Sequence, residues 1–252
     1  DKLEEILKLL KEVIKTLLRL SEDLNRLNRE LVRTVLELLK RVVELLKRVL
    51  EEVRKKVRDA NTVPDEVIER VARELDRLLK ELEDDIRRVA KELEEVHREN
   101  EKLLRDVVRD LERLLERLKR ELDRNLPEKD LLKTLEDVLR ELLKIIARLV
   151  ELNKRSNRRS TEIIDRIVKS LERVIEELLK IIDKLAKALD DRRDKVERDV
   201  RRIKEKIKRI LDDLRRRVEE LKKKNKEDLE KYDEDIRRLE EEIKRLLEEA
   251  RR

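Results

Sequence analysis

Apolar residues return along this chain at alternating steps of four and three. From about Lys2 to Asp59, one series runs Leu3, Leu10, Leu17, Leu24, Leu31, Leu38, Leu45. A second, offset by four, runs Leu7, Ile14, Ser21, Asn28, Val35, Val42, Val49. This is the seam of a coiled-coil or bundle helix, in which one stripe faces a partner and the rest faces water. The pattern stops at Asn61-Thr62-Val63-Pro64 and resumes with Leu75, Leu82, Val89, Val96, Leu103 beside Leu79, Ile86, Leu93, Asn100, Val107. It stops again at Asn125-Leu126-Pro127-Glu128, which repeats the grammar of the first turn: a capping residue, an aliphatic, Pro, then an acid. Thr62 and Asn125 are the expected caps, with Pro and the acids in the first turn that follows. A third pause falls at Asp190-Asp191-Arg192-Arg193, where Asp190 or Asp191 is the expected cap. The pattern therefore predicts an all-α fold: a single long, antiparallel, up-down-up-down four-helix bundle of coiled-coil type. Its helices span about 2–59, 64–124, 127–188 and 191–251, each ~90 Å long at 1.5 Å per residue.

The seam is interrupted once in every helix. Between Leu152 and Ile163 no aliphatic appears, and Asn153, Ser156, Asn157 and Ser160 fill the space. Ser21, Asn25 and Asn28 interrupt the first helix, Asn100 with the only His, His97, the second, and Asn225 the fourth. Folding the chain back near 62, 126 and 190 sets these residues at similar heights. Asn28 reflects beside His97, Asn100 onto Asn153, and Ser156 beside Asn225. The expectation is one buried polar layer whose members hydrogen-bond to one another, since a buried amide or imidazole without a partner is costly.

Such a layer has two readings. As a site, His97, Asn100, Asn153, Ser156 and Tyr232 would bind or transform a ligand. As structure, it would fix helix register and partner choice, as a lone core Asn does in coiled coils. The residue types favour structure. One His and no seam carboxylate leave a Ser–His–Asp arrangement without its orienting acid. A metal centre in a bundle needs several inward Glu and His. No cofactor, metal or catalytic residue is expected, and Tyr232 is expected to fill core space.

One feature exceeds what four helices need. Leu36, Val43, Leu50 and Val57 widen the apolar face of the first helix beyond about three positions in seven. They form a candidate interface for a second copy or a partner helix. The third helix is similarly broad at both ends.

Composition sharpens the picture. Charged residues make up 54% of the 252, and there is no Gly, Cys, Met, Trp or Phe. A chain this long without Gly has little use for turns of positive φ. Without Cys there is no thiol chemistry, and the redox compartment is unconstrained. The net charge of +6 is spread through interleaved acids and bases, so no basic arm for nucleic acid is expected. Apolar runs of at most three residues are expected to form neither a membrane span nor a signal-peptide core.

The heptads, the Pro-marked loops and the polar interruptions together resemble computationally designed helical bundles with buried hydrogen-bond networks. The resemblance covers the whole chain, and it is specific to the class because natural chains of this length rarely lack Gly, Met and Phe together. It implies a structural scaffold or specific helix-association module without catalysis. Other members of the class imply a caged switch with a displaceable C-terminal helix, or a subunit of a homo-oligomer. Spectrin-like and apolipoprotein-like bundles are the nearest natural alternatives and are expected to carry aromatics and Gly.

Overall fold

The structure, a computed structural model, describes residues 2–59, 64–189 and 194–252. It is an up-down four-helix bundle: α1 Lys2–Asp59, α2 Asp65–Asp123, α3 Glu128–Leu189 and α4 Asp194–Arg251. These bounds follow the periodicity to within a few residues. The abundance of Leu, Glu, Lys and Arg, with no Gly to interrupt, favours long helices. Burial of one face supplies most of their stability.

The chain divides into two compact units. Unit 1 comprises residues 1–31, 95–160 and 223–252, and unit 2 comprises 32–94 and 161–222. Polar pairs on the flanks fix direction and neighbours within each. In unit 2, Lys47–Glu83 and Arg54–Asp76 join α1 to α2, with one number falling as the other rises, so the helices are antiparallel. Glu92–Arg166 and Asp85–Ser170 do the same for α2 and α3, and Asp165–Lys222 and Glu172–Arg215 for α3 and α4. Glu52–Lys206 and Lys56–Asp199 close the ring between α1 and α4. In unit 1, Arg29–Glu101 joins α1 to α2, while Asp110–Arg148 and Glu99–Arg159 join α2 to α3. Exposed pairs of this kind are each worth about 0–1 kcal/mol, so they report the topology more than they stabilise it.

Two features of the turns differ from expectation. Asn125 does not cap α3. It stands at φ 48°, in the left-handed region, just beyond the end of α2. Asn tolerates that conformation better than other residues bearing a Cβ, which lets it terminate a helix where Gly is absent. The first α3 amides, Asp130 N and Leu131 N, instead donate to the Pro127 carbonyl at 3.0 and 3.1 Å. Likewise Val67 N and Ile68 N donate to the Pro64 carbonyl at 3.0 and 3.3 Å, so α2 starts from its Pro. Proline suits this place because its fixed φ matches the helix and it has no N–H to leave unpaired. Asp65 and Glu66, and Glu128 and Asp130, then place acids at the positive helix ends. The other expected caps, Thr62, Asp190 and Asp191, lie outside the described residues.

The larger correction concerns the period. In unit 1, α1 buries Leu7, Leu10, Ile14, Leu17 and Leu24. In unit 2 it buries Leu39, Val43, Leu46, Leu50, Val53 and Val57 beside Val35, Leu38, Val42 and Val49 of the seven-residue series, so the buried face widens towards the neighbouring positions. Leu39 stands about eight turns of ~3.6 residues beyond Leu10, and Val43 the same distance beyond Ile14. A seven-residue repeat loses ~20° per heptad on an ideal helix, so the core positions advance by one over this length. α2 shows the step most plainly: Leu103 of the seven-residue series is 42% exposed, and its neighbour Leu104 is 3% exposed. In α3, Ile146 gives way to Ile175 and Leu149 to Leu178 by the same spacing. The apparent surplus on α1 is thus core. Val43, Leu50 and Val57 are buried within unit 2, so these three present no outward face, and Leu36 is half-buried. α1 and α3, which each flank both α2 and α4, bury the broadest stripes and supply most of the core.

Candidate functional site

The polar interruptions belong to unit 1. Every buried polar residue among those described lies there: Ser21, Asn100, Thr134, Asn153, Ser156 and Ser160. Asn25, Asn28, His97, Asn157 and Asn225 are half-buried beside them. In α1 no residue between Leu24 and Val35 is buried, and in α4 none between Val218 and Leu229. Fewer aliphatics here means less hydrophobic stabilisation, at roughly 1.5–3 kcal/mol for each fully buried side chain replaced.

Three hydrogen bonds donated by Asn side chains of these interruptions cross between helices. Asn100 Nδ2 donates to Ser156 Oγ, joining α2 to α3. Asn225 Nδ2 donates to Asn157 Oδ1 at 3.1 Å, joining α4 to α3. Asn153 Nδ2 donates to Asp233 Oδ1 at 2.9 Å, again between α3 and α4. Ser21 instead donates within its own helix, to the Leu17 carbonyl at 2.9 Å. Such a bond satisfies the hydroxyl but contributes nothing to helix pairing. Ser160 is buried on α3.

Two carboxylates take part that the seam pattern does not mark. Asp233 sits beside the seam residue Tyr232, and Glu101 lies one turn beyond His97. Both are half-buried flank residues whose chain is long enough to reach the layer. Reflecting the chain about 193 instead of 190 would have matched Asn153 with Asp233. The signal was present in the spacing but depended on where the third turn was placed.

The imidazole of His97 is held below its ordinary pKa. Burial is the main cause, the Arg29 guanidinium adds to it, and Glu101 opposes it. His97 Nδ1 is buried without a hydrogen-bond partner, so no carboxylate orients the ring through that nitrogen. Tyr232 is 4% exposed, and burial, with the nearby Asp233 and Asp23 carboxylates, raises its phenol far above the ordinary value. It stays a neutral hydroxyl throughout the working pH range. Among the described residues no group of three His, Cys, Asp or Glu could hold a metal ion. No described helix is long and apolar enough to cross a membrane.

The geometry therefore offers amides, hydroxyls and one imidazole with the flanking Asp233 and Glu101 carboxylates, and the pairs Asn100–Ser156, Asn157–Asn225 and Asn153–Asp233 bridge helices. A comparison of the chain with protein-family models, curated proteins and solved structures finds no match.

Proposed function

We propose that the chain is a computationally designed structural scaffold: a helix-association module, not an enzyme, whose polar layer acts as a hydrogen-bond network that fixes register. The observation that carries this reading is the pair of bonds Asn100–Ser156 and Asn157–Asn225, uncharged cross-helix contacts placed where the aliphatic stripes thin out. Aliphatic stripes are self-similar. A helix that slips by a heptad still sets Leu against Leu, at little cost. An amide that slips leaves its partner buried and unpaired, which costs about 1–3 kcal/mol. The layer thus penalises wrong registers more than it stabilises the right one. A structural role over a hydrolytic one is supported by His97 Nδ1, which has no carboxylate partner to orient it. α2 and α4 bury stripes of similar width, so no observation favours a displaceable C-terminal helix over this reading.

The test replaces the ten polar residues Ser21, Asn25, Asn28, His97, Asn100, Asn153, Ser156, Asn157, Ser160 and Asn225 with aliphatics of suitable size. Thermal stability should hold or rise, because desolvation is removed and hydrophobic burial added. Native mass spectrometry and light scattering should show mixed oligomers or registers where the parent gives one species. A variant that remains one species, with the parent's mass and register, would refute the reading.

A further inference from the structure

Five polar atoms of unit 1 are buried and find no hydrogen-bond partner among the described protein groups. They are Asn25 Oδ1 and Asn28 Nδ2 on α1, His97 Nδ1 on α2, Asn153 Oδ1 on α3 and Tyr232 Oη on α4. Unit 2 has one such atom, Arg54 Nε, and that guanidinium is already held through Nη2 by the Ala72 carbonyl and Asp76. More than nine in ten buried polar groups in folded proteins have a partner, so five orphans in one unit, on all four helices, require a physical account. Exposure does not supply it: Asn153 and Tyr232 are only 3% and 4% exposed.

The atoms fall into two sets. Asn25 and Asn28 lie one turn apart on α1, and Arg29, the residue after Asn28, pairs at 3.4 Å with Glu101, which lies one turn beyond His97 on α2. That set offers one acceptor, one donor and a ring nitrogen kept neutral, which can do either. The second set is Asn153 Oδ1, an acceptor, and the Tyr232 hydroxyl. Asn153 already donates through Nδ2 to Asp233, the residue next to Tyr232.

We propose that unit 1 binds ordered water at two interior places, one held by Asn25, Asn28 and His97 and the other by Asn153 and Tyr232. Water fits because each set mixes donors and acceptors. A cation at the first place would meet the Asn28 NH2 hydrogens, and an anion at the second would meet the Asn153 carbonyl oxygen beside the Asp233 carboxylate. Two waters are also modest in number, since folded proteins carry on the order of one buried water per 27 residues, each with 2–4 bonds. Access differs between the two. An open groove of about 310 Å³ between α1 and α2 is lined by Ser21, Asn25, Glu101 and Leu104, and leads solvent to Asn25. Asn153 and Tyr232 are themselves buried, whereas Asn25, Asn28 and His97 are half-buried, so the water at the Asn153–Tyr232 place should exchange more slowly.

The test is direct detection in the intact chain, by a high-resolution crystal structure and by water–protein cross-relaxation in NMR. Expected are a water bonded to Tyr232 Oη and Asn153 Oδ1, another bonded to Asn28 Nδ2, and water cross-peaks to both side-chain amides. Tyr232→Phe should remove the first water and leave the second, with helicity unchanged. The proposal is overturned if the five atoms pair directly with one another, or if neither amide shows a water cross-peak in the folded parent. That outcome would leave the register role of the layer standing, because the ten-residue variant is scored by assembly and not by hydration.

Discussion

Unit 1 and unit 2 are built from the same four helices and the same aliphatic residues, yet their interiors differ in kind. Unit 2 buries no polar residue among those described, and its polar side chains pair on the flanks. Unit 1 buries six polar residues, four of them on α3 alone. Leu46, Ile175 and Leu178 in unit 2 occupy their places by shape and transfer free energy, which tolerate neighbours of similar size. Asn100 and Asn157 in unit 1 occupy theirs because one specific atom lies opposite. The comparison teaches that stability and specificity are located apart in this chain. On the proposed reading, unit 2 supplies apolar burial without a register mark, and unit 1 gives up some of that burial to carry one.

The contrast breaks most visibly if unit 2 is not the dry core described. Substituting Glu for Val43, Leu50 and Val57 together places three carboxylates where exposure is at most 7%. Buried charges without partners cost several kcal/mol each, on the order of the whole stability of a domain. Unit 2 should lose its cooperative structure, read as a drop in helical circular dichroism and loss of amide-exchange protection in residues 32–94 and 161–222. A folded variant that merely changed oligomeric state would return these residues to the outward interface first suggested by their number.

The period offers a sharper test within unit 1. Leu104→Ala removes a side chain from the core cluster and should cost about 2–5 kcal/mol in chemical denaturation. Leu103→Ala, one residue away, removes a half-exposed side chain and should cost within about 1 kcal/mol. Equal effects, or the reverse order, would restore the strict seven-residue seam.

That pair of leucines also shows what the sequence could and could not convey. Helix number, bounds and antiparallel order were legible, because periodicity and two Pro-marked turns are local signals. The heights of the polar interruptions were legible only approximately: reflection sets Asn100 against Asn153 and Ser156 beside Asn225, whereas the structure bonds Asn100 to Ser156 and Asn225 to Asn157. The choice between Leu103 and Leu104 was not legible. Both are leucine, and a seven-residue count accumulates its ~20° error over several heptads until the neighbour is the better core position. The same drift made Val43, Leu50 and Val57 look surplus. Asp233 and Glu101 were missed for a different reason: in a chain that is 54% charged, a functional carboxylate is indistinguishable from its solvated neighbours until contacts are known.

A smaller effect is expected in the polar layer itself. Asn153→Leu removes the bond to Asp233, but that carboxylate is half-buried and retains some access to water, while an orphaned carbonyl oxygen disappears with the amide. The loss should fall near 1 kcal/mol, the low end of the 1–3 kcal/mol for an unpaired buried partner. A fully neutral change would mean that the α3–α4 bonds are ornamental and that unit 1 differs from unit 2 only by having fewer aliphatics.

The smallest effect is electrostatic and belongs to His97. Burial lowers its folded-state pKa below the ordinary 6.5. The unfolded chain therefore takes up a proton at a pH where the folded chain still resists it. Stability rises with pH wherever the unfolded state binds more protons. The contribution is thus fully present above the unfolded pKa. It is lost as pH falls through that value to the lowered folded one, below which it no longer changes. The chain has one His and no Cys, so between about pH 8 and about pH 5.5 no other side chain has an ordinary pKa in range. Melts across that window should decline slightly for the parent and stay flat for His97→Gln. Unit 2, which contains no His, should show no change in amide protection beyond its intrinsic pH dependence. An NMR titration that placed His97 at or above its ordinary pKa would show the imidazole in solvent or paired with Glu101 as a cation, and would remove it from the polar layer.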